Sequence, residues 1–357
     1  MLKSRSSSLL RRLPLVPAIA IAPFLSGCNT LLLNAPGDIA AQQGKLIIVS
    51  TVLMLLIIVP VMILTVVFAM RYRATRQATY LPDWDHSTQL ELIIWSAPLL
   101  IIIALGAITW ITTHTLDPYR PLSRLDAQRP VPQGTKPLVV QVVSLDWKWL
   151  FIYPEQGIAT VNELATPIDV PIEFQMTSST VMNAFYVPAL AGMIYTMPSM
   201  ETKLHAVMNT PGVYEGFSAN YSGAGFSHMR FKYNAMDQAG FDKWVAENKA
   251  ANHTLDRAAY LALVKPSEKD PVQRFSSVSS DLWGAIVNRC VEAGKMCMKD
   301  MASIDSRGLG SSQIYKVALA ETGSSYIASN AICTPDDPQG LRGGRPLESA
   351  QAASARP

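Results

Sequence analysis

Side chains able to hold a soft metal ion are sparse in this sequence, which has four cysteines and five histidines in 357 residues. His86, His114 and His253 have no partner at metal-ligand spacing. His205 alternates with Leu204 and Ala206 in a strand-like run, where a structural role fits better. The stretch Gly216-Phe-Ser-Ala-Asn-Tyr-Ser-Gly-Ala-Gly-Phe-Ser-His-Met229 is rich in glycine and serine. By residue type alone it is a turn between two strands, closed by a methionine that is at best a weak axial ligand to copper. Cys290 and Cys297 lie seven apart, and a disulfide between them would persist in an oxidising compartment. Cys333 is the odd one out. Met296, Met298 and Met301 flank Cys297, a cluster better explained by amphipathic packing than by copper handling. Glu91 opens an uncharged apolar run, where an acid is either solvated at an interface or marks a proton path.

The elements that carry these groups are unusually apolar. Hydrophobic residues make up 49% of the chain and charged residues 16%, too few for an ordinary soluble protein. The net charge of +3 is too mild to imply nucleic acid, and there is no P-loop, GxGxxG or C-x2-C pair. Residues 1–27 have the form of a secretory signal: Lys3, Arg5, Arg11 and Arg12 precede an apolar stretch too short to span a bilayer. It ends in Leu25-Ser-Gly-Cys28, a match to the bacterial lipobox, which predicts cleavage after Gly27 and lipidation of Cys28.

Leu46–Met70 is an uncharged run of about 25 residues, enough to cross roughly 30 Å of hydrocarbon with some tilt. A second run follows, taken as a membrane helix over residues 91–114. Arg71, Arg73 and Arg76 crowd the end of the first, so the connecting loop 71–90 is expected on the cytoplasmic side. Residues 28–45 and everything beyond about 115 are then periplasmic. Trp110, near the far interface, fits an aromatic belt.

After a proline-rich linker over 115–136, the run Leu138–Tyr153 is β-branched and aromatic and reads as one or two strands. Further strand-like runs are Pro167–Met176, Val181–Val187, Thr202–Met208, Val213–Ala219 and Met229–Ala235. Periodicity alone supports an all-β sandwich over 137–236. Residues 237–264 read as two helices, with Asp237 a cap for the first and Thr254 for the second. Beyond residue 300 the composition predicts disorder.

The loop Gly216–Met229 resembles the copper loop of subunit II of haem–copper oxidases, C-x-E-x-C-x3-H-x2-M, with a further His on an earlier strand. On that frame the two Cys positions fall on Ser218 and Ser222 and the Glu position on Asn220. The His positions fall on Phe226 and, within Val181-Met-Asn-Ala-Phe-Tyr-Val-Pro188, on Asn183; only Met229 is kept. Thiolate and imidazole hold a soft copper site, and hydroxyl, amide and phenyl do not replace them. A frame without its ligands resembles the quinol-oxidising branch, subunit II of bacterial cytochrome o-type ubiquinol oxidases. Glu91-Leu-Ile-Ile-Trp-Ser-Ala-Pro98 resembles the family segment E-x-x-x-W-x-x-P, whose acid lies near the mouth of a proton-uptake channel. Trp147 and Trp149 repeat the family W-x-W; both are read here as packing residues. Residues 237–300, with Trp244, Phe275 and Trp283, resemble the aromatic-rich extension of quinol-oxidase subunits.

The resemblance covers roughly residues 28–300. It implies a membrane helical hairpin, an all-β cupredoxin-like Greek-key domain and a short C-terminal helical extension. It implies a non-catalytic subunit in the bacterial inner membrane, part of a proton-pumping enzyme that oxidises ubiquinol and reduces oxygen to water. Haems, copper and ubiquinol are expected in subunit I, and none bound by this chain. The expected partners are subunit I, the other oxidase subunits and membrane lipid, not cytochrome c. Two alternatives stay open: a stand-alone membrane lipoprotein with a ligand-binding β domain, and a cytochrome c oxidase subunit II.

Overall fold

The computed structural model describes residues 33–77, 79 and 83–306. Two helices open it, α1 (Asp38–Arg71) and α2 (Thr88–Thr115), which contact each other. Both are long and apolar enough to cross a membrane, and their apolar windows are unburied. Pro60 and Pro98 lie inside them without ending either helix. α1 starts at Asp38 rather than Leu46, because its first turns serve a different purpose from the rest. Asp38, Ala40 and Gly44 are buried, and Gly37 N donates to Ala189 O at 2.9 Å. The hydropathy pattern marks only the part whose apolar side chains are left uncovered. The first turns pack on protein.

The strands form a sandwich. They are β1 (Leu138–Leu145), β2 (Lys148–Tyr153), β3 (Ile158–Val161), β4 (Glu163–Pro167), β5 (Ile172–Ser178), β6 (Asn183–Tyr186), β7 (Ile194–Thr196), β8 (Thr202–Ala206), β9 (Gly212–Ser218) and β10 (Arg230–Met236). One sheet has the order β12-β3-β2-β1-β5-β8, its edge strand β12 being Gln273–Phe275 of the extension. The other runs β4-β10-β9-β6-β7. Parallel pairs β1–β5 and β4–β10 lie among antiparallel ones, as expected of a cupredoxin-like Greek key. The run Leu138–Tyr153 is two strands, turned at Asp146-Trp147, where Trp147 has φ 64°. The expected strand Pro167–Met176 is divided: Pro167 ends β4 and Ile172 starts β5. β3, β4 and β7 have no counterpart in the sequence reading. They are short, and the first two are buried at every position, so they show no alternation.

Alternation in β2 explains the architecture. Trp149, Phe151 and Tyr153 point into the core between the sheets, while Leu150 and Ile152 point to a second core on the outer face. A strand apolar on both faces must be covered on both. The second cover is the extension, through Leu255, Tyr260, Leu263, Leu282 and Ile286. It contains α3 (Gln238–Lys249), β11 (Thr254–Leu255), α4 (Arg257–Val264), β12, β13 (Ser277–Val278), α5 (Leu282–Val287) and α6 (Met298–Ser306). Asp237 caps α3, accepting from Gly240 N at 2.9 Å. The cap of α4 is Asp256, which accepts from Ala259 N at 2.7 Å; Thr254, expected there, is held in β11 against Ser277. Cys290 and Cys297 form a disulfide. The expectation of disorder from residue 301 is corrected as far as 306 by α6, whose Ile304 is buried. The signal segment, Cys28, Cys333 and the rest of the tail lie outside the described residues.

Candidate functional site

The loop between β9 and β10 sits at one end of the sandwich, and β6 runs beside β9, with Phe185 opposite Ser218. This register brings Asn183 of β6 to Ser218. The Ser218 hydroxyl donates to Asn183 Oδ1 at 3.2 Å, and both residues are buried. Ser218 Oγ also lies 3.2 Å from the Asn220 carbonyl, while Asn220 Nδ2 donates to Met182 O at 3.1 Å. Met229 is buried in the inter-sheet core, and its carbonyl accepts from Ser218 N at 3.1 Å. Asn183, Ser218, Asn220 and Met229 are thus brought together.

Ser222 and Phe226 are engaged differently. The Ser222 carbonyl accepts from Trp147 Nε1 at 3.1 Å, and its hydroxyl is buried without a partner. Phe226 lies in a 3-10 turn, Phe226–His228, with its ring edge-on to Tyr221. His228 is exposed. The donor set is therefore amide, hydroxyl, phenyl and thioether. It does not fit a copper centre, because the groups that soften such a site, thiolate and imidazole, are missing. Among the described residues, no three His, Cys, Asp or Glu side chains converge elsewhere.

Trp147 holds the loop from below, its indole against Gly223 and Gly225. Beneath it, Trp149 packs edge-on to Phe185 and Phe231, which stack on each other at 5.6 Å. Gly216 faces the Phe231 ring, where a Cβ would fall within 2.0 Å. Between the two tryptophans, Lys148 is 2% exposed and crosses to the extension, 2.9 Å from Asp270. Its ammonium also donates to Lys265 O and Ser267 Oγ. Burial pushes the Asp270 carboxyl up, but hydrogen bonds from Ser267 and Lys148 outweigh it and leave it below the usual carboxylate range. A lysine between two tryptophans gives no sequence signal of burial.

Glu91 belongs to a separate place, in the first turn of α2, about 40 Å along the helix from its domain-facing end. Its Oε1 lies 2.7 Å from His86 Nδ1. His86 has no role by spacing, since a contact formed where the chain enters a helix has no spacing signature. His205 is structural: its Nδ1 lies 3.1 Å from Pro118 O and its backbone N–H donates to the same carbonyl.

Two family models match the chain, "Cytochrome C oxidase subunit II, periplasmic domain" over residues 155–236 and "COX Aromatic Rich Motif" over 249–294. The chain is 52% identical over 275 residues to cytochrome bo(3) ubiquinol oxidase subunit 2 of Pseudomonas putida, covering 75% of this chain and 85% of the relative. It is 45% identical over 282 residues to ubiquinol oxidase subunit 2 of Acetobacter aceti, covering 79% and 89%. Among solved structures it is similar to the periplasmic domain of subunit II of cytochrome oxidase of Bradyrhizobium japonicum, at 21% identity and a TM-score of 0.30, covering 31% of this chain and 91% of that one.

Proposed function

Because the chain belongs to the subunit 2 family of haem–copper ubiquinol oxidases, we propose that it is the subunit II of a proton-pumping complex that oxidises ubiquinol and reduces oxygen to water. The observation that carries the finer reading is the Ser218–Asn183 hydrogen bond. Two positions that would hold a thiolate and an imidazole in a copper-bearing relative instead satisfy each other. The β domain is then a cupredoxin frame with no redox centre, and the haems, the catalytic copper and ubiquinol belong to subunit I. The unburied apolar faces of α1 and α2 suit packing against that subunit and against lipid. The chain lies in the inner membrane with its β domain in the periplasm, lipid-anchored at Cys28, and Glu91 stands at the entrance to a proton-uptake path.

Purification of the assembled complex tests this. It is expected to retain a haem-bearing multi-span subunit, to contain no copper in this chain, and to turn over ubiquinol but not reduced cytochrome c. A chain that purifies alone, or a complex that oxidises cytochrome c in preference to ubiquinol, overturns the proposal.

A further inference from the structure

Two cavities share a wall where the membrane helices meet the β domain. The first, about 320 Å³, is lined by Asp38 and Gln42 of α1 and by Asp117, Arg120 and Arg124 of the segment after α2. The second, about 500 Å³, runs down between the helices past Leu46, Thr109, Thr112 and Thr113. Gln43, Leu116, Asp117 and Pro118 line both, so the two form one cleft, charged at one end and less polar at the other.

Two of the three threonines at the less polar end turn their hydroxyls back into the helix. Thr112 donates to Ile108 O and Thr113 to Thr109 O, each at 2.8 Å, so these two hydroxyls are satisfied within the helix. At the charged end, Asp38 is fully engaged, accepting from Arg124 at 2.9 and 3.1 Å and from Gln42 at 2.7 Å. Asp117 and Arg120 are not. Among the described residues neither has an ion-pair partner, and they do not pair with each other although one turn holds both. The Arg120 guanidinium makes a single 3.4 Å contact with His114 O, and Asp117 Oδ1 accepts only from Tyr119 N.

The level of the cleft is that of lipid headgroups. Trp110 is exposed and packs on His114 at 4.5 Å, the position of an interfacial aromatic anchor one to three turns from Arg120. The uncharged run of α1 begins just past Lys45. The lining charges balance, Asp38 and Asp117 against Arg120 and Arg124, which disfavours a purely anionic occupant. An unpaired cation beside an unpaired anion, above a groove between two membrane helices, is complementary to a zwitterion with a hydrocarbon tail.

We propose that this cleft holds one outer-leaflet phospholipid with a primary ammonium in its head, the phosphate on Arg120, the ammonium on Asp117 and an acyl chain between α1 and α2. Guanidinium–phosphate pairing is bidentate and strong, and a primary ammonium offers three donors to a carboxylate where a quaternary one offers none. The proposal rests on the hairpin spanning the membrane and is tested in the assembled complex: loss of haem there marks failure of the oxidase reading, and contrary lipid outcomes with haem intact mark failure of this one.

The test is lipid retention by the purified complex, read by native mass spectrometry after detergent stripping and refilling from mixed micelles. The probes are phosphatidylethanolamine, phosphatidylcholine and phosphatidylglycerol, with complex integrity checked by haem content. The wild type is expected to retain one phosphatidylethanolamine. Arg120→Gln should reduce retention of every phospholipid about tenfold, the loss of one charge-assisted interaction. Asp117→Asn should remove the preference for phosphatidylethanolamine over the other two. Retention unchanged in both variants, or wild-type retention of phosphatidylglycerol equal to that of phosphatidylethanolamine, overturns it. So does a photo-crosslinker at Leu116 that captures another subunit in place of lipid.

Discussion

Trp147 and Gly225 approach so closely that a Cβ at Gly225 would lie 2.5 Å from the indole Cδ2. The glycines of the loop are therefore shaped to the tryptophan beneath them. Gly225→Ala is expected to lower stability by about 1–3 kcal/mol through overpacking, measured by urea unfolding of the whole chain in detergent. Trp147→Ala should remove most of that penalty, so the double variant is less destabilised than the sum of the singles. Strict additivity would show that the two do not constrain each other.

The loop was legible as a resemblance: Ser218, Ser222, Phe226 and Met229 stand at the intervals of the copper-loop pattern, and the fold brings Ser218 to Asn183 of the neighbouring strand. The membrane runs were legible because lipid demands uniform apolarity. What escaped is what depends on a partner surface. The first turns of α1 face protein, so hydropathy stops short of them. β3 and β4 are buried on both faces and so carry no alternation. Asp256 caps α4 because β11 engages Thr254 first, a competition that appears only once Ser277 is brought alongside.

Lys148 ties the sandwich to its extension, and removing it should show in the extension first. Lys148→Met leaves Asp270 without its cation and is expected to cost about 3 kcal/mol, the low end for breaking a buried pair. Adding Asp270→Asn should recover part of the loss. The Asp270 carboxyl lies below its ordinary value in the folded chain. Its contribution is therefore complete above an unfolded pKa of about 3.9 and is lost as pH falls through the lower, folded value. Unfolding midpoints from pH 6 down to 2 should drop more steeply in the wild type than in Lys148→Met. Parallel profiles would remove Asp270 from the account.

Glu91 and His86 face each other across 2.7 Å at the start of α2. If Glu91 feeds proton uptake, Glu91→Ala should lower turnover of the assembled enzyme severalfold with haem content unchanged, and Glu91→Asp should lose less. Equal turnover in wild type and Glu91→Ala returns it to an interfacial acid solvated by headgroup water.

Lipidation at Cys28 predicts that Cys28→Ser abolishes labelling by a radioactive fatty acid while the chain stays in the membrane fraction. Two spanning helices hold it far more firmly than an acyl chain does. Release into the soluble fraction would mean that α1 and α2 do not span, and persistent labelling would mean that the lipid is elsewhere.

The loop between β9 and β10 carries the most demanding prediction of the proposed reading. Asn183 and Ser218 already touch, and Met229 is fixed in the core below them. Restoring the remaining donors, by Asn183→His, Ser218→Cys, Asn220→Glu, Ser222→Cys and Phe226→His, should recreate a thiolate-bridged copper pair, since a rigid frame fixes where the side chains point. Ser→Cys is nearly isosteric, and imidazole is smaller than the phenyl it replaces at Phe226, though it must leave Tyr221 to turn inward. Asn220→Glu adds length and charge where an amide now bonds Met182 O, and is the change most able to disturb the loop. The readout is the intense visible absorption of copper–thiolate bonding in the purified chain supplied with copper, with the wild type colourless beside it. A folded five-fold variant that stays colourless would show that Ser218 and Ser222 do not occupy the thiolate positions.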